Sequence, residues 1–206
     1  MAGWINIPNS NIDMQIVKAP DNDKYLKTDF YGNYSRYGCP FMDYRNDAKD
    51  LMQNTIIYGH HMSDGFVFSD LDKYKKLEGF VDSPIINFDT VYASYKFKIY
   101  AVIITNARGT DDNGYVFNYT APEFATPENF MSYIKALDER SLYKTGVNIQ
   151  STDKLLTLST CTYDFNDARL VVIGRMLRSG ESEKVDTTKA VVNQNPRMPQ
   201  AWHSRK

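Results

Sequence analysis

Cysteine and histidine are scarce in this 206-residue chain: two of the first, three of the second, and none in a Cys-x-x-Cys or His-x-x-x-His spacing. That argues against a structural zinc site, and no metal or organic cofactor is expected. A glycine-rich phosphate loop is also missing, so nucleotide chemistry has no cradle. Asp111-Asp112-Asn113-Gly114 lacks the rest of a calcium-loop ligand set and reads as a turn. No apolar run approaches the ~20 residues that span a bilayer, and no signal segment opens the chain, so the chain as it stands is expected to be soluble. Charge of one sign is absent too: 24 basic residues against 25 acidic ones give a net charge of -1. No overall field draws the chain to nucleic acid, and partners must be recognised locally.

What is present is a folded, strand-rich composition. Hydrophobic residues make up 42% and aromatic ones 14%, the latter concentrated in alternating stretches such as Tyr92-Ala93-Ser94-Tyr95-Lys96-Phe97-Lys98-Ile99-Tyr100. Strands are expected over residues 4–8 and 12–17, joined by a turn at Pro8-Asn9-Ser10-Asn11, and again over 39–43, 55–59, 84–88 and 91–104. Short helices are expected near residues 22–27 and 68–76. Thr126-Pro127-Glu128 has the chemistry of a helix start, with Phe130, Ile134 and Leu137 on one apolar face, and predicts a helix to about Ser141. Residues 155–158 and 170–177 are uninterrupted apolar runs, the pattern of strands buried on both faces. Together these predict a mainly β fold with helical insertions, a closed or nearly closed barrel. Residues 1–178 form the expected domain, and 179–206, polar and without periodicity, a flexible tail.

The candidate chemistry sits in Lys154-Leu155-Leu156-Thr157-Leu158-Ser159-Thr160-Cys161, followed by Arg169 at the start of the next apolar run. A cysteine that ends a strand and is followed by polar residues suits a nucleophile better than a core position. A nearby arginine offers a permanently charged fork of donors for a carbonyl or an oxyanion. A proton-handling group is also needed, and Tyr58-Gly59-His60-His61 ends another apolar strand. Neighbours on an extended strand point to opposite sides, so only one of His60 and His61 can face Cys161, and the other is expected to be dispensable. Spacing alone leaves three readings open: a cysteine transpeptidase, a cysteine peptidase that transfers mainly to water, and a non-catalytic surface-binding barrel in which Cys161 is packed.

Tyr58-Gly59-His60 upstream, with Thr157-Leu158-Ser159-Thr160-Cys161 and Arg169 downstream, resembles the sortases and is close to class B. Supporting pieces are Gly3-Trp4-Ile5-Asn6-Ile7-Pro8, the block from Gly38 to Asn46, and the helix that precedes the cysteine strand; the resemblance runs from about Trp4 to Leu177. It implies an eight-stranded sortase barrel and a transpeptidase at the extracellular face of the plasma membrane of Gram-positive bacteria, held by a hydrophobic N-terminal anchor that this chain does not carry. It implies cleavage of a Thr-Gly-type bond in the C-terminal sorting motif of surface proteins. A thioester is then resolved by an amine of a peptidoglycan precursor or cross-bridge. By the same resemblance Cys161 is the nucleophile, His60 the acid/base, Arg169 the oxyanion partner, and Tyr58 and Ser159 substrate-binding residues.

Overall fold

A computed structural model describes residues 1–204. In chain order its strands are β1 (Gly3–Asn6), β2 (Asp13–Lys18), β3 (Phe41–Met42), β4 (Asn54–Tyr58), β5 (Ile85–Asp89), β6 (Ser94–Asn106), β7 (Tyr143–Lys144), β8 (Leu155–Cys161), β9 (Ala168–Met176) and β10 (Val191–Val192). The α-helices are α1 (Leu77–Asp82), α2 (Pro127–Arg140) and α3 (Gln200–His203). Eight strands close into a barrel in the order β1, β2, β3, β4, β8, β9, β6, β5, with β1 also paired to β5. The β4/β8 and β2/β3 pairs are parallel; the other barrel pairs are antiparallel.

The two apolar runs are covered on both sides, as their composition requires. Leu156, Leu158, Leu170 and Val172 belong to the cluster that fills the barrel, with Ile5, Ile57 and Phe88. Leu155, Val171 and Ile173 belong to a second cluster, formed under α2 by Phe130, Ile134 and Leu137. In β6 the pairing to β9 shifts between Ile99 and Ala101. This irregularity lets Phe97 and Ile99 on one side of it, and Val102 and Ile104 on the other, all join the interior cluster although their parity differs. The α2 cap is as expected: the Thr126 hydroxyl accepts from Asn129 N at 3.2 Å, and Pro127 occupies the first turn.

Local differences from expectation have physical causes. The helix expected at residues 68–76 is a 3-10 helix, Ser69–Lys75, and α1 follows it directly. The one expected at 22–27 shrinks to a 3-10 turn, Lys24–Leu26, with no buried residue to extend it. The apolar run 155–158 extends through Ser159 and Thr160 to Cys161, the expected strand end, because these residues find partners in β9 whatever their propensity. No helix among the described residues is long and apolar enough to cross a membrane.

Of the segment expected to be a flexible tail, residues 179–204 instead lie back along the domain, and 205–206 lie outside the described residues. β10 pairs with β7, the Arg197 amide donates to Glu139 O at 2.8 Å, and Val185, Ala190, Met198 and Trp202 pack against the interior cluster. The physical reason is electrostatic as well as apolar. Lys98 and Arg175 are cross-strand partners, both buried, and two facing cations need an anion. Glu181 supplies it, accepting from Arg175 Nη1, from Arg175 Nη2 at 2.7 Å and from Lys98 Nζ at 2.8 Å. The Arg175 bonds hold the Glu181 carboxyl far below the usual carboxylate range. Replacing Glu181→Gln leaves the two cations uncompensated and is expected to cost about 2 kcal/mol in urea unfolding. The alkylation rate of Cys161 is expected to stay unchanged, since Arg175 lies near the far end of β9 from Arg169.

Candidate active site

The site is assembled by strand register. β8 runs parallel to β4, with Tyr58 beside Ser159, and antiparallel to β9, with Cys161 opposite Arg169. Residues directly opposite in an antiparallel pair project to the same face, so the thiol and the guanidinium share a side of the sheet. The Gly59 amide donates to Ser159 O at 3.1 Å, carrying the β4/β8 pairing one residue further before the chain turns out to His60. A Cβ at Gly59 would stand 2.6 Å from the Phe68 ring, so only glycine permits this exit. The loop returning to β9 turns at Asp167, which takes a left-handed conformation (φ 55°).

His60, Cys161 and Arg169 line one cavity of about 230 Å³, together with Tyr58, Ser159 and Tyr119. His60 Nε2 lies 2.7 Å from Leu26 O. A carbonyl can only accept, so this contact places the proton on Nε2 and leaves Nδ1 as the nitrogen free to exchange one. Cys161 is a free, half-buried thiol. The Arg169 guanidinium is anchored through Nη1 alone, to Asp167 O at 3.2 Å and Ala168 O at 3.0 Å. The rest of its donor fork stays available to a ligand oxygen.

His61 turns the other way. Its Nε2 lies 3.1 Å from Asp72 Oδ2, and its ring meets Tyr163 edge-on. The structure thus separates the two histidines that spacing left equivalent. Tyr58 and Ser159, the other two expected residues, form cavity walls. The Tyr58 hydroxyl donates to Asp43 Oδ2 at 2.9 Å and its ring packs on Phe41; burial, then the Asp43 charge, keeps the phenol protonated. The Ser159 hydroxyl is 2.9 Å from the Tyr119 hydroxyl.

Sequence reasoning missed Tyr119, Asn22 and Leu26, which also line the cavity. Tyr119 is buried, and burial pushes its phenol up, against the opposing effects of the Ser159 hydrogen bond and the Arg169 charge. It belongs to the irregular segment between β6 and α2, and Asn22 and Leu26 to the loop between β2 and β3, so no periodicity marks them. Cys39 lines the cavity as well, but burial and then the Asp29 charge push its thiol up to about 11, which leaves it a protonated, apolar wall at neutral pH.

Behind the cavity sits a fully buried carboxylate, Asp43. Oδ1 accepts from Arg45 N at 3.0 Å and Nε at 2.8 Å; Oδ2 accepts from Arg45 Nη2 at 2.8 Å, Tyr58 at 2.9 Å and Asn22 Nδ2 at 3.1 Å. Burial alone would raise its pKa, yet these bonds, led by Arg45, hold it at about 2. A carboxyl held below its unfolded value of about 3.9 stabilises the fold above that pH and loses this contribution as pH falls towards 2. Asp43→Asn is therefore expected to cost about 2–3 kcal/mol at pH 7 and to flatten the acid limb of stability below about pH 4. Urea unfolding from pH 2 to 7 measures both effects.

A thiol, an imidazole and a guanidinium line one cavity in a barrel of eight strands, the residue set of a cysteine enzyme. Comparison with known proteins agrees. The chain matches the Sortase domain family over residues 5–177. It is 35% identical to Sortase B of Listeria monocytogenes over 179 residues, 86% of this chain and 70% of that protein. A Staphylococcus aureus sortase B-substrate complex superposes with a TM-score of 0.77 at 30% identity, covering 85% of this chain and 79% of that one. A sortase B complexed with Gly3 gives a TM-score of 0.77 at 29% identity, with the same two coverages, 85% and 79%. The chain belongs to the sortase family, and within it to the class B type. It is a cell-wall sorting cysteine transpeptidase.

Proposed function

We propose that this chain joins surface proteins to the cell wall through a thioester on Cys161, with His60 and Arg169 as its partners. The observation that carries the reading is that these three side chains line one cavity, with Cys161 in register opposite Arg169. Cys161 gives its thiol proton to His60 Nδ1, and Sγ attacks the carbonyl of a Thr-Gly-type bond in a C-terminal sorting motif. The carbonyl oxygen takes up negative charge and meets the free donors of Arg169. The C–N bond then breaks as His60 Nδ1 passes a proton to the departing amine, leaving the acyl group on sulfur. An amine of a peptidoglycan precursor or cross-bridge attacks the thioester, His60 takes its proton, and Cys161 is released as a thiol after the reverse proton transfer. Tyr58 and Ser159 line the walls against which the motif lies. Both proposed substrates are surface molecules, which supports a location at the extracellular face of the plasma membrane. The Gly3 complex of the related sortase B supports an amine acceptor by analogy.

Intact-mass spectrometry with a panel of sorting-motif peptides, with and without triglycine, tests this. The expected result is an acyl adduct on wild type that is absent from Cys161→Ala and is chased into a ligated product by the amine. An adduct discharged only to water would instead make the chain a peptidase. His60→Ala is expected to lose about 10²–10⁴ in rate and Arg169→Lys, which keeps charge without the planar fork, about 10². All three variants are expected to keep the wild-type circular dichroism spectrum.

A further inference from the structure

The two segments that carry the reacting groups part company at the barrel rim. After the Gly59 N to Ser159 O bond, β4 and β8 diverge: His60 leaves on a loop, while Cys161 ends β8 opposite Arg169 and the chain leaves the strand at Thr162. What rejoins them is the residue after His60 and the second residue after Cys161. The Tyr163 hydroxyl donates to His61 O at 3.1 Å, and the Tyr163 ring meets the His61 imidazole at 5.0 Å, nearly perpendicular. On its other side His61 Nε2 lies 3.1 Å from Asp72 Oδ2 in the 3-10 helix Ser69–Lys75. Asp72 Oδ1 is 3.0 Å from Lys75 Nζ, and the same ammonium is 2.8 Å from Asp164 Oδ2. Asp164 Oδ2 in turn accepts from the Thr162 hydroxyl at 2.6 Å. Two routes, one aromatic and one ionic, thus run from the residue after His60 to the three residues after Cys161.

The geometry points to His61 as a positioning residue for the reaction, acting through Tyr163, Asp72 and Lys75 to set the span between His60 and Cys161. The inference rests on the reading of those two as the reacting pair. His61 touches neither the thiol nor the cavity; its side chain is only 11% exposed and is committed to Asp72 and Tyr163. Lys75 is the junction: its ammonium reaches Asp72 on one segment and Asp164 on the other, so removing its charge cuts the ionic route between them. Proton transfer between His60 and a group on Cys161 is sensitive to displacements of about 1 Å, which cost on the order of 10²-fold in rate. Substrate walls such as Tyr58 and Ser159 lie on the strands themselves and are left in place. The signature of a loosened strap is therefore a lower kcat with KM unaltered. The expectation that the histidine not facing Cys161 is dispensable is thereby revised.

The test compares Lys75→Met, Lys75→Arg, His61→Ala and Tyr163→Phe. The readouts are kcat and KM, with the peptide that acylates Cys161 and triglycine as acceptor, and the pH profile of Cys161 alkylation by iodoacetamide. Lys75→Met and His61→Ala are expected to lower kcat about tenfold or more, with KM within about twofold, and to shift the alkylation profile. Lys75→Arg, which keeps the bridging charge, is expected to keep most of the rate, and Tyr163→Phe to show a smaller loss. Wild-type kcat and superimposed alkylation profiles in Lys75→Met and His61→Ala would overturn the inference. So would losses that appear in KM alone or that track a fall in melting temperature. A wild type that alkylates but turns over no peptide would count against the catalytic reading, and the alkylation profiles of the variants would still decide whether the strap sets the thiol's surroundings.

Discussion

Backbone register around β8 is the constraint on which the rest of this molecule depends. One strand is hydrogen-bonded on one side in parallel to β4 and on the other in antiparallel fashion to β9. The first pairing delivers Tyr58 and the Gly59 exit beside Ser159; the second puts Arg169 across from Cys161. Side chains alternate along a strand, so a slip of one residue would carry Cys161 to the opposite face and bury a polar edge in its place. The register is held by apolar groups rather than by the site itself. Leu156 and Leu158 point into the barrel, and Leu155 goes under α2, which leaves the polar end of the strand only one way to emerge.

Around that frame the protein uses buried charge sparingly and in the same way twice. Asp43 gathers Arg45, Tyr58 and Asn22 behind the cavity, and Glu181 gathers Arg175 and Lys98 at the other end of β9. In each case a carboxylate, fully buried in Asp43 and partly so in Glu181, is satisfied by a nearby arginine and by donors from distant segments, so each ties together parts of the chain far apart in sequence. Asp43 stiffens the wall against which a substrate lies. Glu181 fastens the C-terminal segment to the barrel. A third cluster, in which Lys75 lies between Asp72 and Asp164, is more open to solvent and joins the 3-10 helix Ser69–Lys75 to the segment that follows Cys161. Rigidity near the reacting atoms thus comes from polar ties, and rigidity of the barrel from packing.

Much of this was legible in the residues. The α2 start at Thr126-Pro127-Glu128, the doubly buried runs around Leu156 and Val172, and the pairing of a strand-end cysteine with a strand-opening arginine all follow from local pattern. Others were not. α1 lacks a long apolar face, the β10 strand is two residues long, and Tyr119, Asn22 and Leu26 enter the cavity from segments whose composition resembles any surface loop. The segment after Ser179 looked unattached because its apolar residues are sparse and aperiodic. Its attachment depends on a cation pair formed by strands about 80 positions apart, which no window along the chain contains.

By itself, then, the sequence determined the fold class, the strand that carries Cys161, and the small set of residues from which a thiol, an imidazole and a guanidinium could be drawn. These are consequences of composition and period, which act over a few residues. Only the tertiary structure decided which histidine faces the cavity, which carboxylates hold its walls, and where the last segment lies. Those outcomes depend on groups brought together by barrel closure, and a hydrogen bond or an ion pair acts over a few ångströms of space, whatever the distance along the chain.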